Sequence, residues 1–328
     1  MCKAPVTKKF ISRVSRNENG RRWSSPLTAS VNSAGADSSY FKNFEVRKAE
    51  AVNLRKSAPR FSARNVVSYI VSRQNTDGGY TFCQGTESNA QDTYYGLAIL
   101  DLLKTPFPNI EQTIKWLHDF VPDSSYSHYY ITKALKLCGE ELDKRLEDFI
   151  RSLRGSKGEI GTIEVYVEVA SEFEDSFMIT ELVNMAGIEI DREKTIDWLL
   201  SYQNNDGGFG TPKHSNLNST YHAVASLSNL GYPVKSLKET LRYIRSCEIP
   251  TGGFTVVPKS SNPFMEHVYY GVSTLDLLGE HARYPEKTAK FVSNCQNVNG
   301  GFARSHFGVS TFEYTFYAVS TMQKLGSR

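Results

Sequence analysis

The chain has 328 residues, is 40% hydrophobic and 12% aromatic, and carries a formal net charge of +3, so it can bury one large core or two modest ones and makes no strong electrostatic case for nucleic acid or an anionic membrane. The five cysteines, Cys2, Cys83, Cys138, Cys247 and Cys295, are scattered with no Cys-x-x-Cys pair, which reads as reduced, mostly buried thiols in a reducing compartment. No run approaches the length of a spanning helix, and the N-terminus lacks the apolar stretch of a signal peptide, so a cytoplasmic protein is expected.

Residues 1–60 differ from the rest. Lys8, Lys9, Arg13, Arg16, Arg21 and Arg22 make the segment basic and poor in acids. It is expected to be a flexible extension with at most one docked helix near Phe44–Leu54, and organellar targeting is the alternative. Residues 61–328 are expected to form the folded domain.

From residue 62 onward, pairs of helices are predicted. The first of each pair is amphipathic, as in Val66-Val67-Ser68-Tyr69-Ile70, Ile114-Lys115-Trp116-Leu117, Leu146-Glu147-Asp148-Phe149-Ile150, Ile196-Asp197-Trp198-Leu199, Leu241-Arg242-Tyr243-Ile244 and Ala289-Lys290-Phe291-Val292. Apolar residues at i, i+3 and i+4 with polar residues between them mark an outer helix with one wet face. The second helix is apolar nearly all round, as in Tyr269-Tyr270-Gly271-Val272-Ser273-Thr274-Leu275, and belongs inside.

Gly-containing turns punctuate the pairs. Four are clear: Gln74…Gly78-Gly79-Tyr80, Gln203…Gly207-Gly208-Phe209, Thr251-Gly252-Gly253-Phe254 and Asn299-Gly300-Gly301-Phe302. Aromatics then open the inner helices near Tyr94-Tyr95, Tyr129-Tyr130, Phe177, Tyr221-His222, Tyr269-Tyr270 and Phe316-Tyr317, at intervals of 35 to 48 residues. A repeat of that period dictates a stacked architecture. An open solenoid needs polar capping repeats, but Phe316 to Leu325 is as apolar as the middle repeats. Closure into a double ring is therefore expected.

A Gln-x-x-x-Gly-Gly-aromatic turn followed by an inner helix opening on Tyr resembles the repeat of the prenyltransferase and squalene-cyclase superfamily. The resemblance covers residues 62–326 and is degenerate at Asp123-Ser124-Ser125 and Arg154-Gly155-Ser156-Lys157-Gly158. It implies an all-α α6/α6 barrel, or α/α toroid, whose aromatic-lined cavity holds an isoprenoid chain. Tyr94, Tyr95, Tyr129, Tyr130, Phe177, Tyr221, His222, His267, Tyr269, Tyr270, Tyr314 and Phe316 are the expected substrate-binding residues. Their ring faces suit a polyene and a carbocation.

Chemistry divides the superfamily. Class II terpene cyclases protonate an alkene with the middle acid of an Asp-x-Asp-Asp-Thr motif. In that register stands Glu172-Phe173-Glu174-Asp175-Ser176, so the resemblance implies Glu174 as proton donor with Glu172 and Asp175 as partners. The first repeat carries Asn89-Ala90-Gln91-Asp92-Thr93, where Asp92 alone stays ionisable. Acids also cap helix N-termini with no catalytic role. Protein prenyltransferases hold zinc through Asp, Cys and His, and the matching positions here are His267, Tyr269 and Tyr314. Three functions therefore stay open: a protonation-initiated terpene cyclase on a polyprenyl substrate, a prenyltransferase β-like subunit with a helical-repeat partner, and a non-catalytic lipid-binding or scaffold protein. No metal site and no cofactor are expected. Zinc fits poorly, and Mg²⁺ would accompany a diphosphate substrate. An isoprenoid small molecule is the expected partner, with peripheral membrane contact open and nucleic acid not expected.

Overall fold

The structure is a computed structural model that describes residues 61–142, 144–152 and 172–326, all within the compact unit Lys48–Arg328. The basic extension, the Phe44–Leu54 helix and the degenerate turn at 154–158 lie outside the described residues.

Twelve α-helices occur among the described residues. The outer ones are α1 (Ala63–Val71), α3 (Ile110–Asp119), α5 (Lys144–Ser152), α7 (Arg192–Leu200), α9 (Lys238–Cys247) and α11 (Pro285–Asn294). The inner ones are α2 (Ala90–Leu102), α4 (Ser125–Leu137), α6 (Glu172–Ala186), α8 (Leu217–Asn229), α10 (Met265–Leu277) and α12 (Phe312–Gly326). Each inner helix packs against the next, and α12 packs back on α2. This is the closed double ring, the α/α toroid, expected from the apolar last repeat. The joint between α4 and α6 is the slimmest of the inner ring.

Helix starts follow from local capping. Asn89 Oδ1 accepts from the Asp92 N–H at 2.8 Å and Asn216 Oδ1 from the Ser219 N–H at 2.8 Å. Ser124 and Ser127 form a reciprocal box at the start of α4, which satisfies donors that the first helical turn leaves orphaned. The aromatic pairs sit about one turn inside each inner helix, and in α2, α4 and α8 a polar N-cap opens the turn before them. A two-residue hairpin, β1 (Gly210–Thr211) with β2 (His214–Ser215), leads into α8.

The four clear turns each lock their repeat to the next outer helix. Gln203 Nε2 donates to Gly207 O at 3.3 Å and to Thr240 Oγ1 of α9 at 2.8 Å, and Thr240 Oγ1 donates back to Gly207 O at 2.8 Å. Gly207 has φ +85°, and a Cβ there would stand 2.3 Å from the backbone oxygen of Glu239. Only glycine allows both that φ and that approach. Gln74 makes the same bonds to Gly78 and Thr113. In the last turn Gln296 reaches Ser62, the N-cap of α1, so the seam of the ring repeats the same lock. In the third clear turn the buried Glu248 replaces glutamine. It accepts from the backbone N–H groups of Arg283 and Tyr284 and pairs with Arg245 at 3.1 Å.

Candidate active site

The inner helices enclose a cavity of about 230 Å³. Its wall is a continuous belt of rings. Going round, Tyr95 meets Tyr130 at 5.5 Å between centroids, Tyr129 meets Phe177 at 6.5 Å, and Phe177 meets Tyr221 at 5.9 Å. Tyr221 then stacks on Tyr270 at 4.7 Å, Tyr269 on Tyr317 at 4.4 Å, and Phe316 returns to Tyr95 at 5.2 Å. Where two aromatics are adjacent in sequence, both line the cavity.

The phenols tie the belt together. Hydroxyls lie 3.2 Å apart in Tyr95–Tyr130 and in Tyr270–Tyr317, and 3.4 Å apart in Tyr221–Tyr269. Burial pushes their pKa values up, so the belt stays neutral. His222 stands between Phe177 and Tyr270, with centroids 5.6 and 5.1 Å away. Burial lowers its pKa to about 3, so it is a neutral imidazole, and its Nδ1 has no hydrogen-bond partner in the protein.

Glu174 is partly buried near the N-terminal end of α6 and faces the cavity. Burial, then the neighbouring Glu313 and Asp175, raise its pKa to about 7. Glu313, on the first turn of α12, is itself raised by burial, with Glu266 and Asp92 adding to the effect, and it accepts from the Tyr317 hydroxyl at 2.9 Å. Two like carboxyls in a poorly hydrated place cannot both ionise cheaply. The fold thus brings Asp175 and Glu313 close to Glu174, and of the three only Glu174 is on the cavity lining.

The other expected acids are placed differently. Glu172 is the first residue of α6, and its side chain lies outside the described residues. Asp92 is buried at the start of α2, where its Oδ2 accepts from the Phe82 N–H at 3.1 Å and from Asn89 Nδ2 at 2.8 Å. It fastens the loop before α2 and does not line the cavity. His267 and Tyr314 are also off the lining, and His267 packs against Phe264 at 5.7 Å.

A second charged group was not foreseen from the sequence. Lys133 of α4 pairs with Glu181 of α6 at 2.8 Å and donates to the Tyr129 hydroxyl at 3.0 Å, while Tyr129 donates to the same Glu181 oxygen. The Lys133 ammonium also lies 5.0 and 4.9 Å from the ring centroids of Tyr94 and Tyr129. Burial opposes its charge, but Tyr94 and Glu181 hold its pKa above the ordinary lysine value. The available signal was a charged residue in the middle of each of two largely apolar inner helices, Lys133 and Glu181.

The prenyltransferase alpha-alpha toroid domain family matches residues 47–120 and 176–328. The chain belongs to this family. The unmatched stretch between those spans contains the two degenerate turns and α4. Among solved structures, the chain is similar to Candida albicans protein geranylgeranyltransferase-I complexed with GGPP, at 15% identity and a TM-score of 0.64 over 80% of this chain and 91% of that one. It is also similar to the type II terpene cyclase MstE from Scytonema. A variant of MstE in complex with its substrate, geranylgeranyl dihydroxybenzoate, gives 12% identity and a TM-score of 0.53 over 81% of this chain and 95% of that one. The apo form gives the same identity and TM-score. At these identities the likeness is one of fold, and that fold serves both chemistries. No curated protein matches the chain.

The zinc of prenylating relatives finds no suitable donors here. At the matching positions, burial raises the phenol pKa values of Tyr269 and Tyr314, so neither offers an oxygen anion, and one imidazole, His267, remains. Among the described residues, no group of three His, Cys, Asp or Glu side chains could hold a metal ion.

Proposed function

We propose that this protein cyclises a polyprenyl substrate by protonating one of its alkenes, with Glu174 as the acid and the aromatic belt as the cage for the carbocation. The observation that carries this reading is the place of Glu174, a carboxyl with a pKa of about 7 on the lining of the aromatic cavity. Alkene protonation needs an acid that still holds its proton at the working pH and is already aimed at the substrate. Ring faces then stabilise positive charge as it moves along the chain. Lys133, lying over Tyr94 and Tyr129, shows that those faces accept a cation.

Prenyl transfer from a diphosphate finds less support. The two lysines on the lining are already paired, Lys133 with Glu181 and Lys324 with Asp276, and a diphosphate leaving group needs uncommitted cations. Protonation requires neither zinc nor a helical-repeat partner. A diphosphate-bearing substrate would bring Mg²⁺ as its counter-ion, outside the protonation step. The cavity's 230 Å³ is below the ~300–1,000 Å³ usual for drug-sized ligands, which favours a short polyprenyl chain over squalene.

The test is incubation of the purified full chain with geranylgeranyl diphosphate, squalene and oxidosqualene, followed by extraction and product analysis. A cyclic product from the shortest chain is expected, and Glu174→Gln should abolish it. Full activity in that variant removes the mechanism.

A further inference from the structure

Two carboxyl groups stand on the cavity-facing stripe of α6, Glu174 and Glu181. They are seven residues apart, which places them about 10 Å apart along the helix axis. Their surroundings are opposite. Glu174 sits among other carboxyls, whereas Glu181 pairs with the Lys133 ammonium at 2.8 Å and accepts a hydrogen bond from the Tyr129 hydroxyl. A phenol hydrogen-bonded to a carboxyl at the cavity wall is a ready relay for carrying a proton away.

Building on the cyclase reading, we propose that Tyr129 and Glu181 are the base that ends the reaction by taking the proton from the final carbocation. The C–H bond next to the cationic carbon breaks, and its electron pair becomes the new C=C bond. The proton goes to the Tyr129 oxygen as Tyr129's own proton passes to Glu181. Glu174 has given one proton and Glu181 has gained one, so substrate and product are isomers and no oxidant or reductant is required. Glu181's side chain is 25% exposed, so the proton returns to water from there, and water reprotonates Glu174. Lys133 is a positioning residue. Its ammonium bonds both the Glu181 oxygen and the Tyr129 hydroxyl and so fixes one against the other.

The same ion pair also bridges the slim joint between α4 and α6, so a loss of stability on mutation would not separate a base from a brace. Product identity does. The full chain, Glu181→Gln and Tyr129→Phe are each incubated with geranylgeranyl diphosphate in D₂O, and the products are resolved by mass spectrometry. The unmodified chain should yield a cyclic alkene carrying one deuterium delivered by Glu174. Both variants should still incorporate deuterium, with the alkene-to-alcohol ratio falling at least about tenfold, because the cation persists until water captures it. Tyr129→Phe keeps the Lys133–Glu181 pair, and an unchanged melting temperature would show that its fold is intact. The same alkene at the original rate from both variants overturns the assignment and leaves the cyclase standing. No deuterium uptake by the unmodified chain overturns the cyclase reading, and this inference with it.

Discussion

Replacing Glu174 with glutamine should stabilise the protein at alkaline pH while removing the proposed acid. In the folded chain the carboxyl's pKa rises from the ordinary 4.5 to about 7, first through burial and then through Glu313 and Asp175. The folded state therefore holds this proton more tightly than the unfolded chain does. The favourable contribution is fully present below pH 4.5 and is lost as pH rises through 7. At about 1.4 kcal/mol per pH unit, the ionised group costs the fold about 3 kcal/mol at pH 8 and less than about 1 kcal/mol at pH 5. Glutamine never ionises and escapes this cost. Its removal also relieves Glu313, which acts in the same direction. Urea unfolding of both proteins at pH 5 and pH 8 measures the difference, provided the two m-values agree. A variant gaining about 2–3 kcal/mol at pH 8 relative to pH 5 supports the placement. Equal differences at the two pH values would mean that Glu174 points to solvent, and the site would lose its acid.

Catalytic efficiency, once a substrate is in hand, should fall about tenfold per pH unit above pH 7 as Glu174 deprotonates. His222, with a pKa near 3, should leave no inflection between about pH 5 and 9. Gly207→Ala forces a Cβ to 2.3 Å from a backbone oxygen at φ +85° and should cost about 2–4 kcal/mol in urea unfolding. A neutral result there would refute the turn lock. Arg245→Ala leaves the buried Glu248 carboxylate without its partner at 3.1 Å and should cost about 3 kcal/mol. Glu248→Gln, which restores the residue of the other clear turns, should cost about 1 kcal/mol. The reverse order would mean that Arg245 packs but does not neutralise.

The ring was readable because its devices are local. Gly207-Gly208-Phe209 and Gly300-Gly301-Phe302 announce turns with positive φ, and the all-round apolar inner helices place themselves inside. The apolar last repeat, Phe316 to Leu325, indicated closure. Glu174 was readable through repeat register alone, since its offset from Phe177 matches that of Gln91 from Tyr94. The Lys133–Glu181–Tyr129 group was not, because its members come from helices 48 residues apart and nothing local pairs them. Asp92 shows the limit of register. It occupies an acid's position yet spends its lone pairs on Phe82 and Asn89. His267 and Tyr314 each stand two residues before the first aromatic of their helix, Tyr269 and Phe316, and at about 100° per residue that offset turns them to the far side of the helix from the lining.

The lock between Gln296 and Ser62 joins residues 234 apart in the chain. Neighbouring repeats meet through short loops, whereas this junction closes a loop that spans nearly the whole domain and so carries the largest closure entropy of the ring. The hollow exists only once the last turn has docked on α1. A guest inside it would act as a latch, and amide exchange in α1, far from any ring of the belt in sequence, should slow when an isoprenoid is bound.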